Sequence, residues 1–183
     1  STIETIDALE GIRGHLTHVQ FHCYGSEGPK KFSSASLQLA EKLKSSKNIS
    51  IDVGQIIFGQ TVTTSGDTMK QHSNRNNANP KKWVMGDIEC TAGCGVVPFK
   101  YRENSFVNAL QWVIGLEIFL LSKDPWRIVL STDHPNGGSF ANYPLVIKLL
   151  MDYEFRKQAM KSVNQKAMNS TILGELKREY TLN

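Results

Sequence analysis

The sequence predicts an α/β fold assembled from parallel βαβ units, and three observations carry that expectation. Three short apolar segments, 15–22, 49–57 and 127–132, read as strands. Segments with helical spacing separate or follow them, at 33–47, 106–121 and 143–160. Strands that alternate with helices pair in parallel, because a right-handed crossover helix returns the chain to the same end of the sheet. Three strands make a poor sheet alone, since parallel sheets need both faces covered and a small one leaves two close edges. The pattern therefore predicts a piece of a larger barrel, or a chain that needs a partner.

Each element has a local cause. Ser1-x-x-Glu4 fits a capping box, Ile3, Ile6 and Leu9 share a face, and Gly11 stops that first helix. From His15 to His22, Thr17, Val19 and Phe21 alternate with Leu16, His18, Gln20 and His22, which is the period of a strand. Gly25, Gly28 and Pro29 break the chain. Ser33 or Ser34 caps a helix to about Lys47, with Ala35, Leu39 and Leu43 at four-residue spacing. Ile49, Ile51 and Val53 make the core of the second strand. The pattern fades from Phe58 to Glu103, where Thr, Ser, Asn and Gly dominate; a polar insertion with some irregular strand, lying over one end of the fold, is expected there. The segment 106–121 is apolar around most of its circumference, as a buried helix is, and Asp124-Pro125 ends it. Ile128-Val129-Leu130 centres a short buried strand. Leu145, Leu149 and Tyr153 form one stripe of a helix over 143–160, and a final helix is expected over about 169–180.

Composition excludes several classes. The 183 residues are 40% hydrophobic and 21% charged, the balance of a soluble globular chain. The net charge of +4 is not gathered into a basic tract, so no nucleic acid is expected as a partner. Cys23, Cys90 and Cys94 are an odd set without a second Cys pair, which suits neither a disulfide framework nor a structural zinc site. No apolar run reaches the roughly 18 residues of a membrane span. No signal peptide is recognisable either, and a reducing cytoplasm is the expected location.

Two places concentrate chemistry. On the first strand, His18, Gln20 and His22 lie on one face. At about 3.3 Å per residue, His18 and His22 stand roughly 13 Å apart, so at most one of them ligates a given metal ion. Histidines packed unmetallated in a polar interior are the plainer account of the same pattern. At the second place an apolar strand runs into Ser131-Thr132-Asp133-His134-Pro135-Asn136-Gly137-Gly138. Functional residues of (β/α)8 barrels gather at the carboxyl ends of strands. A carboxylate there can take a proton from an attacking water and pass it to a leaving nitrogen. The glycines would let the backbone approach a ligand closely. Capping of the next helix by Asp133 or Asn136 is the plainer alternative, weakened because that helix starts only near Tyr143. Asp52, inside an apolar strand, reads equally well as a buried structural acid. His72 reads as a solvated residue of the insertion, and Cys90 and Cys94 lack an identifiable base.

Thr132-Asp133-His134-Pro135-Asn136-Gly137-Gly138-Ser139-Phe140 followed by Tyr143-Pro144 resembles the signature of the alpha subunits of formylmethanofuran dehydrogenase and formyltransferase/hydrolase complexes. So do Leu16-Thr17-His18-Val19-Gln20-Phe21-His22, Ile51-Asp52-Val53-Gly54-Gln55, Gly95-Val96-Val97-Pro98-Phe99, Gln111-Trp112-Val113-Ile114-Gly115-Leu116-Glu117, Asp124-Pro125-Trp126-Arg127 and Arg178-Glu179-Tyr180-Thr181-Leu182. These motifs cover nearly the whole chain in order. The resemblance implies the amidohydrolase superfamily, with this chain holding strands six to eight of its TIM-like barrel and their helices. It also implies a dinuclear zinc centre, with His18 as the sixth-strand metal ligand and Asp133 as the eighth-strand aspartate, both ligand and proton shuttle. Gln20, His22, His134 and Asn136 would then face substrate. The implied reaction cleaves or forms the formamide bond of an N-formyl methanofuran-type one-carbon carrier. The family's His-x-His pair, carboxylated lysine and fifth-strand histidine have no counterpart here. The remaining ligands are therefore expected on the missing part of the barrel, and sibling subunits are expected as partners. A non-catalytic assembly component and a cyclic-amide hydrolase of the same superfamily are the alternatives.

Overall fold

The run Ile49-Ser-Ile-Asp-Val-Gly54 forms the middle strand of a parallel sheet, because its side chains are wanted on both faces. In a computed structural model, which describes residues 2–9, 17–22, 33–46, 48–65 and 95–181, that sheet has three strands. They are β1 (Thr17–His22), β2 (Ile49–Gly54) and β5 (Ile128–Ser131), in the order β1-β2-β5 and all parallel. Ile49, Ile51 and Val53 are almost wholly buried. Between β2 and β5, β3 (Gly59–Ser65) and β4 (Gly95–Tyr101) form a separate antiparallel ribbon, with Thr61 opposite Phe99 and Val62 opposite Pro98. The described ends of the polar insertion are thus regular, not irregular as the composition suggested. Ser1, Gly11, His15, the break expected at Gly25, Gly28 and Pro29, His72, the asparagine-rich 74–79 stretch, Cys90 and Cys94 lie outside the described residues.

Helices cover one side of the sheet. They are α1 (Thr2–Leu9), α2 (Ser36–Ser45), α3 (Phe106–Leu121), α4 (Tyr143–Met151), α5 (Tyr153–Met160) and α6 (Gln165–Met168). α3 is buried without a break from Asn108 to Leu120, which is why its sequence shows no polar face. Each fully buried Leu, Ile or Val on it contributes roughly 1.5–3 kcal/mol through apolar area removed from water. Ser105 starts the helix by accepting from the Asn108 N–H (3.4 Å). Asp124 then caps the turn 125–127: its carboxylate accepts from the Trp126 N–H (3.1 Å) and pairs with Arg127 Nε (3.0 Å). None of the helices in the described residues is long and apolar enough to cross a membrane.

Two expectations are corrected. The helix expected over 143–160 is two helices, broken at Asp152, whose extended backbone (φ −130°, ψ 102°) lets its carboxylate accept from the Phe155 N–H (2.8 Å) and cap α5. An amphipathic stripe continues across such a break, so periodicity alone did not reveal it. The helix expected over 169–180 is absent. After the short α6, which ends at Met168, a 3-10 turn at Leu173–Glu175 and a non-helical segment stand there instead. The cause is tertiary. The fully buried Arg156 donates through Nη2 to the carbonyls of Leu176 (2.9 Å) and Arg178 (2.8 Å) and through Nη1 to that of Leu149 (2.7 Å). Those carbonyls are committed to a guanidinium rather than to a helix.

Glu117, buried on α3, links distant segments. One carboxylate oxygen accepts from the Ser34 hydroxyl (2.7 Å) ahead of α2, the other from the Ile172 N–H (2.7 Å). Burial raises its pKa above the ordinary 4.5, against the opposing pull of the Ser34 and Ile172 hydrogen bonds. A raised folded-state pKa means that the folded form holds the proton more tightly. The associated stability is full below the unfolded pKa and is lost as pH rises through the folded one. Melting temperatures between about pH 4 and pH 7 should therefore show Glu117→Gln losing less stability than the unsubstituted protein as pH rises. Parallel pH profiles for the two would refute the assignment.

Candidate active site at the carboxyl end of the sheet

β5 stops at Ser131 because the backbone beyond it turns sharply. Thr132 is fully buried, and its hydroxyl donates to the Gly138 carbonyl (3.1 Å) while its own carbonyl accepts from the Gly137 N–H (3.0 Å). Asp133 takes a left-handed conformation (φ 46°), which a short polar side chain tolerates better than most. The turn closes on it: the Asn136 N–H donates to the Asp133 carbonyl (2.6 Å), and Asn136 Nδ2 donates to Asp133 Oδ2 (3.0 Å). The His134-Pro135 bond between them is cis. Asp133 is half-buried and His134 exposed; the His134 ring accepts from the Phe140 N–H (3.4 Å) and meets the Phe140 ring edge-on, with centroids 5.1 Å apart.

The turn is sewn to the chain leaving β2. The Gln55 N–H donates to the Ser131 carbonyl and the Ile57 N–H to the Gly137 carbonyl, both at 2.8 Å. From the ribbon, the Thr61 hydroxyl donates to the Pro135 carbonyl and reaches that of Asn136 (3.2 Å). A Cβ on Gly137 would come within 2.5 Å of the Thr132 carbonyl oxygen and 3.2 Å of that of Gln55. One on Gly138 would meet Ile57 Cδ1 at 2.9 Å. The glycines thus serve the turn's own packing. Neither Asp133 nor Asn136 caps α4, which starts at Tyr143.

The other expected site residues are placed by backbone register. His18 pairs with Ser50, Gln20 with Asp52 and His22 with Gly54, and Gly54 in turn pairs with Ser131. His22 is therefore level with the last residue of β5, and His18 lies four residues deeper. The structure gathers Asp133, His134 and Asn136 in one turn, with His22 as the β1 histidine at that level. No group of three or more His, Cys, Asp and Glu side chains able to hold a metal occurs among the described residues. Thr61, which ties the insertion to the turn, carried no sequence signal.

The amidohydrolase family profile matches residues 1–179. The chain belongs to the amidohydrolase family. Among its amidohydrolase relatives, the FhcA component of the formyltransferase/hydrolase complex Fhc of Methylorubrum extorquens is 44% identical over 99% of this chain and 34% of its own length. Protein FwdA of Methanocaldococcus jannaschii is 36% identical over 100% of this chain and 34% of its own. One chain of the crystal structure of the M. extorquens FhcABCD complex with methylofuran superposes with a TM-score of 0.74 at 39% identity, over the whole of this chain and 34% of that one. The chain thus spans about a third of the length of these relatives.

The two glycines give a ranking. Gly137→Ala sets a methyl group 2.5 Å from a backbone oxygen and should cost about 1–3 kcal/mol, whereas at Gly138 the closest approach is the longer 2.9 Å to Ile57 Cδ1 and the cost should be smaller. Thermal unfolding of both variants measures this; equal losses would mean that the turn is not held as tightly as its hydrogen bonds imply.

Proposed function

We propose that this chain is the part of a zinc-dependent amidohydrolase subunit that cleaves or forms the formamide bond of an N-formyl methanofuran-type carrier, with formate and the free amine on the other side. The observation that carries the proposal is Asp133, held by Asn136 in a left-handed turn at the carboxyl end of a parallel strand. It is joined by the family membership and by what the relatives' names say of those proteins.

The donor set fits zinc in part. Asp133 offers a carboxylate and β1 offers an imidazole, ligand types that zinc takes. The described residues hold no cluster of three, and the family resemblance puts the remaining ligands on the rest of the barrel, of which this chain would hold strands six to eight. Among the described residues nothing pairs with the outer edge of β5, and that edge is where further chain would pair. When bound, zinc would polarise the formyl carbonyl and acidify the attacking water. Asp133 takes the proton from that water and returns it to the nitrogen as the amide bond breaks. Asn136 fixes the carboxylate, and His134 with Asn136 lines the mouth through which the carrier enters. Sibling subunits, as in the FhcABCD complex, are the proposed partners.

In the full-length subunit, Asp133→Asn keeps the size and the Asn136 contact but cannot carry the proton. Deformylation should fall by about a hundred- to ten-thousand-fold with assembly intact. Unchanged turnover would remove Asp133 from the mechanism, and turnover of cyclic amides in place of the formyl carrier would replace the substrate class. Elemental analysis tests the metal half. The register supports His22 as the β1 ligand, so His22→Ala should lose more zinc than His18→Ala; the opposite order would return the ligand role to His18.

A further inference from the structure

Most carbonyls of the turn after β5 are committed within the turn or to the chain leaving β2. Those of Thr132 and Asp133 accept from the Gly137 and Asn136 N–H groups, that of Gly137 from the Ile57 N–H, and that of Gly138 from the Thr132 hydroxyl. The Pro135 and Asn136 carbonyls, at the tip, differ. Among the described residues no backbone N–H donates to either, and the Thr61 hydroxyl is the group that reaches both. It donates to the Pro135 carbonyl and stands 3.2 Å from that of Asn136. The ribbon that delivers Thr61 is fixed at its base. Gly59 pairs with Tyr101 and Thr61 with Phe99. The Tyr101 side chain is packed in the core, and the Phe99 ring meets it edge-on with centroids 4.8 Å apart. The next residue, Arg102, donates its N–H to Asn108 Oδ1 (3.1 Å) in the first turn of α3.

The turn needs such a hold. Asp133 is left-handed (φ 46°), and a residue with a side chain keeps that conformation only where its surroundings over-determine it. Asn136 serves the turn twice: its backbone N–H closes the turn on the Asp133 carbonyl, and its Nδ2 holds Asp133 Oδ2 (3.0 Å). The two carbonyls that Thr61 reaches belong to the peptides on either side of Asn136. Pinning those peptides fixes the direction from which Nδ2 approaches the carboxylate. We propose that Thr61 is a positioning residue: acting through Asn136, its hydroxyl sets the orientation of the Asp133 carboxylate, so that the β3–β4 ribbon is part of the reacting apparatus and not only a cover beside it. The inference rests on the role proposed above for Asp133.

The test uses the full-length subunit in its complex. Deformylation kinetics are measured together with the melting temperature and, by mass spectrometry, amide hydrogen exchange of the 131–138 segment. Thr61→Val keeps the shape and removes the hydroxyl. Its kcat should fall about three- to thirtyfold at unchanged KM, and the turn should exchange faster while the melting temperature holds. Thr61→Ser should recover most of the turnover. In an Asn136→Ala background, Thr61→Val should cost nothing further, which a general loosening of the ribbon would not produce. Unchanged kcat in Thr61→Val, no recovery by Thr61→Ser, or an undiminished loss without the Asn136 side chain overturns the proposal. So does failure of both Thr61→Val and Thr61→Ala to assemble, which would make Thr61 a structural residue of the ribbon. Full activity in Asp133→Asn would instead fail the role from which the inference starts.

Discussion

Everything at the carboxyl end of the sheet depends on the β2–β5 pairing continuing after the strands themselves have ended. Gln55 and Ile57 still donate across to Ser131 and Gly137, so the turn after β5 is laid along a neighbour rather than hanging in solvent. Each such bond contributes on the order of 1 kcal/mol net. The left-handed Asp133 costs roughly 1–2 kcal/mol. The two Gln55 and Ile57 bonds, with those from Asn136 to Asp133, are of the right size to offset that strain, and they fix the carboxylate where the sheet stops. A carboxylate on an unanchored loop would have the same chemistry and a poorly defined place in which to do it.

Behind the sheet the constraint is of a different kind. α3 lies deep enough in the helical layer that its one carboxylate, Glu117, is buried, and its pKa rises because burial outweighs its hydrogen bonds. Those bonds nevertheless tie the residues ahead of α2 to the segment after α6. The two faces of one small sheet thus differ: Ile51 and Val53 face a close-packed interior, while Asp52 between them lies on the opposite face.

Most of this was legible from residue order. The three strands and the helices at 36–45 and 106–121 follow from period, because burial imposes those patterns directly. Asp133 stood out as a candidate because an acid straight after an apolar strand has few packing reasons to be there, and the structure places it in a left-handed turn there. What was hidden depended on contacts far apart in sequence. The break at Asp152 interrupts no stripe, the segment after α6 is held extended by Arg156, and Thr61 reaches a turn more than seventy residues away. The glycines at 137 and 138 were visible, but only the positions of Thr132, Gln55 and Ile57 show what they make room for.

Arg156 has a consequence for how the chain is made. Its guanidinium is sealed in the interior, and two of its three acceptor carbonyls come from residues 176 and 178. The same stretch is fastened by the Tyr180 hydroxyl to the Phe119 carbonyl (2.6 Å) and by the Tyr180 N–H to that of Leu150 (3.0 Å). While that stretch is still inside the ribosome, the cation has lost most of its acceptors and burying it is unfavourable. The helical layer can then collapse only loosely around α5, and it locks when some twenty further residues have emerged. A product cut short before residue 176 would carry this defect permanently.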